Sequence, residues 1–147
     1  MVHCREQRRG FTLIELLVVL VILGLLAALV VPRFLSRMAE GQDKATRVQI
    51  GHFKQALDLY YLDNGAYPTT AQGIQALISK PTPAPRKWLE PYLKDVTAVP
   101  NDPWGSPYTY TSEDGRSYLI VSRGPDGQEG TDDDIRSDDL QGGDSGG

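Results

Sequence analysis

The chain has 147 residues, 40% of them hydrophobic, with 15 basic against 19 acidic side chains and a net charge of −4. That length allows one modest core beside one membrane segment and excludes a second domain. Arg5, Arg8 and Arg9 against Glu6 give the first ten residues +2, which leaves −6 for residues 11–147 and excludes a basic surface for nucleic acid.

After the basic head comes GFTLIELLVVLVILGLLAALVVP, in which Glu15 is the only ionisable side chain from Phe11 to Val31. As a helix at about 1.5 Å per residue this run reaches roughly 30 Å, the thickness of a bilayer's hydrocarbon core. A cleaved signal peptide would have a shorter apolar core ending in a small-residue cleavage site, and no A-x-A pattern precedes Pro32. The arginines precede the span, so the positive-inside rule holds the N-terminus in the cytoplasm and sends the remainder outward.

A carboxylate inside a span costs on the order of 2.5 kcal/mol or more, so Glu15 either snorkels to the interface or waits for a positive charge from elsewhere. A new amino terminus would supply one. Arg-Arg-Gly followed by Phe-Thr-Leu-Ile-Glu, residues 8 to 15, resembles the processing site of the type IV pilin and type II secretion pseudopilin superfamily. The resemblance implies cleavage of residues 1–10 by a prepilin peptidase between Gly10 and Phe11, with N-methylation of Phe11. It also implies pairing of Glu15 with the Phe11 amine of a neighbouring subunit as a helical filament assembles.

Cys4, the sole cysteine, would leave with the leader, so no disulfide can staple the exported part. Residues 11–31 form the membrane and filament-core helix. Beyond Pro32 the pattern turns amphipathic, with Ala45, Val48, Phe53, Ala56, Leu57 and Tyr60 on the expected core face, so span and continuation make one helix of about 80 Å. Gly24 and Pro32 weaken it. In related filaments that interval loses its helical bonding on assembly, which the resemblance extends to this chain. Asp63-Asn64-Gly65 ends the helix.

A short helix with a threonine N-cap is expected over Ala71 to Ser79, stopped by Pro81. Four prolines between 81 and 93 then make an extended loop, pinned to the core by Trp88, Tyr92 and Leu93. Turns at Asn101-Asp102-Pro103 and Gly105-Ser106-Pro107 flank Trp104. A hairpin follows: Tyr108, Tyr110 and Ser112 alternate with Thr109 and Thr111, Glu113-Asp114-Gly115 turns the chain, and Ser117 to Ser122 returns. Tyr67 to Thr70, Asp102 to Gly105 and Gly124 to Gly127 resemble the major-pseudopilin (G subunit) family of the type II secretion system. That family implies an α+β, type IV pilin-like fold, with a long N-terminal helix packed on a short helix and a small antiparallel sheet, and a metal-binding loop near its C-terminus.

The stretch SRGPDGQEGTDDDI crowds Asp126, Glu129, Asp132, Asp133 and Asp134 among three glycines. Like charges so close repel unless a cation sits among them, and the absence of His or Cys nearby argues for a hard ion over zinc. The alternative is a solvated acidic tail. The family favours calcium, held by Asp126 and Asp133, then Asp134, with backbone oxygens of Arg123 and Gln128. Residues 32–135 make the periplasmic domain, and residues 136–147, rich in glycine, read as a disordered tail.

His52 is the only histidine outside the leader, so no Ser-His-Asp or Cys-His arrangement can be built and no enzyme is expected. The reading is a structural subunit, anchored in the inner membrane and assembled into a periplasmic pseudopilus that drives type II secretion. Its partners are further copies of itself, the prepilin peptidase, minor pseudopilins and the inner-membrane assembly platform. A type IV or competence pilin, a minor pseudopilin and a membrane-anchored calcium-binding module are the rivals.

Overall fold

The computed structural model describes residues 10–89 and 91–141, so the arginine-rich leader with Cys4 and the last six residues lie outside it. One helix, α1, runs Leu13–Asn64 and passes through Pro32 without a break. The chain divides into two units, residues 1–39 and 40–147.

In the first unit every described residue is exposed, Leu16 to Leu35 included, which suits an apolar helix whose solvent is not water. Helix α1 begins with Thr12 as its N-cap: the Glu15 amide donates to Thr12 Oγ1 at 3.3 Å and the Leu16 amide to the Thr12 carbonyl at 3.3 Å.

In the second unit α1 supplies Thr46, Ile50, Phe53, Ala56, Leu57 and Tyr60 to the core. The apolar stripe thus lies on the side of Thr46 and Ile50, while Ala45 and Val48, which the spacing placed in the core, face solvent. Thr46 tolerates burial because its hydroxyl donates to the Gln42 carbonyl at 2.9 Å, one turn back. The helix ends where Gly65 takes φ 74° and its amide donates to the Tyr61 carbonyl at 2.7 Å.

The expected helix over 71–79 contracts to a 3-10 turn, Ile74–Leu77. Gly73 at φ 61° breaks the run, and the threonine cap serves the turn before it: the Gln72 amide donates to Thr69 Oγ1 at 3.3 Å and the Thr69 amide to Gln72 Oε1 at 3.0 Å. The proline-rich loop is pinned as expected. Trp88 donates from Nε1 to the Ala76 carbonyl at 2.9 Å, and the amides of Tyr92 and Leu93 both donate to the Leu77 carbonyl, at 2.7 and 3.0 Å.

Strands β1 (Thr109–Thr111), β2 (Leu119–Ser122) and β3 (Ile135–Arg136) form one antiparallel sheet in the order β1-β2-β3. The register sets Tyr110 opposite Ile120 and Ser122 opposite Ile135. Tyr108, Tyr110 and Ser112 are buried, as their alternation requires, and Phe53 of α1 meets Tyr108 edge-on with ring centroids 5.2 Å apart. Ile74, Leu77, Ile120 and Ile135 complete the core. Asp102 is buried beneath the sheet's start. Its Oδ1 accepts from the amides of Trp104 and Ser106 at 3.2 and 2.8 Å, and its Oδ2 from the Ser122 hydroxyl at 2.7 Å.

The tail expected from residue 136 is folded as far as Gln141. Ser137 exchanges two bonds with Ile120, its amide donating to the carbonyl at 2.9 Å and its hydroxyl accepting from the amide at 3.0 Å. Lys54 of α1 donates to the Ser137 carbonyl at 3.2 Å, and a 3-10 turn closes the segment at Asp139–Gln141. The domain therefore extends past 135, because Ile135 fills the core and draws its neighbours into the sheet.

Candidate functional site

Two places carry the chemistry that the sequence singles out, one in each unit. At the start of α1, Gly10 and Phe11 precede the helix and are exposed. A Cβ added at Gly10 would meet nothing within 4 Å, so the fold makes no demand for glycine there. Glu15 occupies the third helical position, where a capping box would bend its carboxylate back to the N-cap amide. Only half of that box forms: Thr12 Oγ1 takes the Glu15 amide, and no hydrogen bond or ion pair among the described residues uses the Glu15 carboxylate. The side chain stands exposed in the first turn, near the positive end of the helix dipole, with its oxygens available to a cation from outside.

The second place is the loop between β2 and β3. Gly124, Gly127 and Gly130 take φ of 60°, 68° and 92°, conformations open to glycine, and these bends curl the loop on itself. The curl is tightest at Gly124, where an added Cβ would collide with the backbone carbonyl of Asp133. Across that pinch the Asp126 amide donates to Asp133 Oδ2 at 3.1 Å, while Thr131 Oγ1 donates to Asp133 Oδ1 at 2.6 Å. The Thr131 hydroxyl first, and the Asp126 amide after it, hold the Asp133 carboxyl below the usual carboxylate range. Asp126 Oδ1 accepts from the Gln128 amide at 2.8 Å, and Asp134 Oδ2 from the Gly130 amide at 2.7 Å.

The structure brings Asp126, Asp133 and Gln128 together, with Asp134 next to them, and it is Asp133 whose role differs from that expected. Both oxygens of Asp133 are engaged in shaping the loop, whereas Asp134 Oδ1 is buried and has no hydrogen-bond donor. An orphaned buried carboxylate oxygen is costly, and a cation relieves that cost. Among the described residues no three Asp, Glu, His or Cys side chains converge as a metal cluster, so an ion here draws on backbone carbonyls as well. A hard cation with six to eight flexible oxygen ligands accepts that mixture, and these residues fit calcium better than zinc. Arg123 contributes a charge that the sequence reading assigned only to its carbonyl: its guanidinium lies 3.9 Å from Glu129 Oε2, and its buried Nε has no acceptor within hydrogen-bond reach.

Nothing in either place resembles a catalytic arrangement. His52 lies exposed on α1, outside the cleft of the second unit that a serine–carboxylate pair lines, Ser117 Oγ donating to Asp114 Oδ1 at 3.2 Å within the β1–β2 turn.

Comparison with known proteins bears on both places. Residues 33–138 match the family model for type II secretion system (T2SS), protein G, and residues 5–31 match the prokaryotic N-terminal methylation motif. The type II secretion system core protein G of Pseudomonas aeruginosa is 48% identical over 130 residues, covering 86% of this chain and 89% of that one. The core protein G of Vibrio cholerae is 44% identical over 128 residues, covering 85% and 86%. Among solved structures, the major pseudopilin from the type 2 secretion system of enterohaemorrhagic Escherichia coli superposes with a TM-score of 0.63 at 34% identity, over 76% of this chain and 93% of that one.

Proposed function

From the premise that this chain belongs to the protein G family of the type II secretion system, as a structural pseudopilin, we propose a specific course for its processing and assembly. A membrane peptidase cuts between Gly10 and Phe11 and the new amine of Phe11 is methylated. The subunit rests in the inner membrane with its folded unit in the periplasm. It then joins other copies in a helical filament that works with minor pseudopilins and the inner-membrane platform to move folded proteins outward. The chain acts as a building block and catalyses nothing itself.

The observation that carries this reading is the start of α1. An exposed Gly10–Phe11 bond precedes a capped helix whose first-turn carboxylate, Glu15, has no partner among the described residues. Pairing with the Phe11 amine of a neighbour satisfies both charges in an apolar bundle, where an unpaired charge costs several kcal/mol. Changing Glu15 to Ala should leave cleavage and methylation unchanged by intact mass, while filaments isolated from gently lysed cells fall by about tenfold or more. Normal assembly and secretion by Glu15→Ala subunits would sink the pairing.

The loop from Arg123 to Asp134 takes calcium. Asp126 and Asp134 supply carboxylate oxygens, Asp133 shapes the loop and adds its charge, and the Arg123 and Gln128 carbonyls complete the donor set. Support comes from the unpartnered Asp134 Oδ1 and from the three left-handed glycines that let carbonyls turn inward. A ligand that binds only the folded state adds RT ln(1 + [L]/Kd), about 4 kcal/mol for a micromolar site in millimolar calcium. Thermal unfolding with calcium and then with a chelator should differ by that amount, and Asp126→Ala or Asp134→Ala should erase the difference. Equal stability in both conditions would return the loop to a solvated acidic turn.

A further inference from the structure

Leu59, Leu62 and Leu89 belong to the folded unit, not the span, yet they are 54, 78 and 82% exposed. Leu59 and Leu89 line an open cleft of about 240 Å³ together with Asp63, Pro91, Tyr92 and Lys94. The exposure of Leu89 does not come from a slack loop. Trp88, on one side of it, is tied to the Ala76 carbonyl, and Tyr92, on the other, is tied to Leu77 through its amide. The Tyr92 hydroxyl donates to Asp63 Oδ2 at 2.9 Å, and its ring meets that of Tyr60 edge-on at 5.3 Å. The cleft therefore has a fixed floor, and an occupant would find it already formed.

Its rim has both signs. Asp63 and Lys94 form no ion pair among the described residues, so a polyanion or an acidic lipid surface meets repulsion at Asp63. The occupant called for is a helical ridge of large apolar side chains flanked by charge. Phe34 and Met38, at i and i+4, form such a ridge on the exposed part of α1 beyond Pro32. Arg37 lies beside it and Glu40 follows, both exposed and both without an ion pair among the described residues, the complement of Asp63 and Lys94. Phe34 and Leu59 belong to one helix, so the ridge that fills the cleft comes from another molecule.

We infer that the Leu59–Leu89 cleft receives the Phe34–Met38 ridge of a second copy of this chain, with Arg37 set toward Asp63. The inference rests on the filament reading and gives it a lateral contact distinct from the Glu15 pair.

The full-length chain, expressed with its secretion machinery, tests it. Processing removes Cys4, so Leu89→Cys and Met38→Cys can be placed in one subunit against a cysteine-free background. On mild oxidation, assembled filaments of this variant should yield a ladder of covalent dimers and higher species, at least about tenfold above either single variant. Separately, Leu89→Arg should lower the filaments isolated from gently lysed cells by about tenfold while the thermal unfolding of the domain stays unchanged, as its exposure allows. Filaments without the ladder, or Leu89→Arg filaments at the unsubstituted level, would overturn the inference. So would a Leu89→Arg subunit that assembles normally and loses secretion, since the cleft would then serve a different protein. Failure of the unsubstituted chain to form filaments would overturn the filament reading and this inference together.

Discussion

Replacing Gly124 by alanine tests whether the loop between β2 and β3 is a rigid device. Gly124 has φ 60°, and an alanine held there costs about 1–2 kcal/mol for the left-handed backbone alone. The added Cβ would also collide with the Asp133 carbonyl oxygen and come within 3.2 Å of Asp133 Oδ2. Relieving that contact means moving backbone, for about 1–3 kcal/mol more. The total, about 2–5 kcal/mol, is a large share of the 5–15 kcal/mol typical of a domain. Gly130 is the control, because its φ of 92° carries the backbone cost while its Cβ would meet nothing within 4 Å. Urea unfolding of the unit that begins at Glu40, followed through Trp88 and Trp104 at fixed free calcium, should place Gly124→Ala below Gly130→Ala by at least about 1 kcal/mol. Equal losses would mean that Asp133 is not held against Gly124, and the account of the pinched loop would be wrong.

Two further outcomes follow from the buried polar groups. Ser122→Ala should cost about 1–3 kcal/mol, because Asp102 Oδ2 loses the hydroxyl it accepts from at 2.7 Å and stays buried; unchanged urea midpoints would show that Asp102 finds another donor. In alkali the domain should lose stability from about pH 10 upward. Burial pushes the Tyr92 and Tyr108 hydroxyls up to about 12, and raises Tyr110 and Tyr118 as well. The unfolded chain therefore releases these protons first, and the stabilisation, complete below pH 10, drains away toward the folded values. A flat urea midpoint between pH 9 and 11.5, accompanied by tyrosinate absorbance, would contradict that burial.

What the sequence made legible was what repeats or punctuates. The span could be read because a single carboxylate interrupts its apolar run, and the helix end because Gly65 supplies the left-handed turn. The stripe of α1 is legible at Phe53, Ala56, Leu57 and Tyr60 but not at its start, where Ala45 and Val48 are exposed and Thr46 is buried because its hydroxyl finds a carbonyl one turn back. Strand β3 could not be read at all: two residues have no period, and what makes Ile135–Arg136 a strand is the partner it meets in β2. The same limit applied to the acidic loop. Its composition pointed to a cation, but that Asp133 serves the backbone while Asp134 keeps a free oxygen depends on which amides come near, and spacing does not encode that.

The burial map of α1 has a mechanical consequence. Core contacts begin at Thr46, and no residue described before it is buried. A subunit leaving a bilayer would thus break none of the packing that keeps its second unit folded, and its apolar shaft would only trade one hydrocarbon-like solvent for another where neighbouring shafts replace lipid. Such an exchange is close to balanced in free energy. The subunit then resembles a rivet more than a spring: it stores no recoil, and both the stroke and its direction must be imposed by whatever machine drives it home.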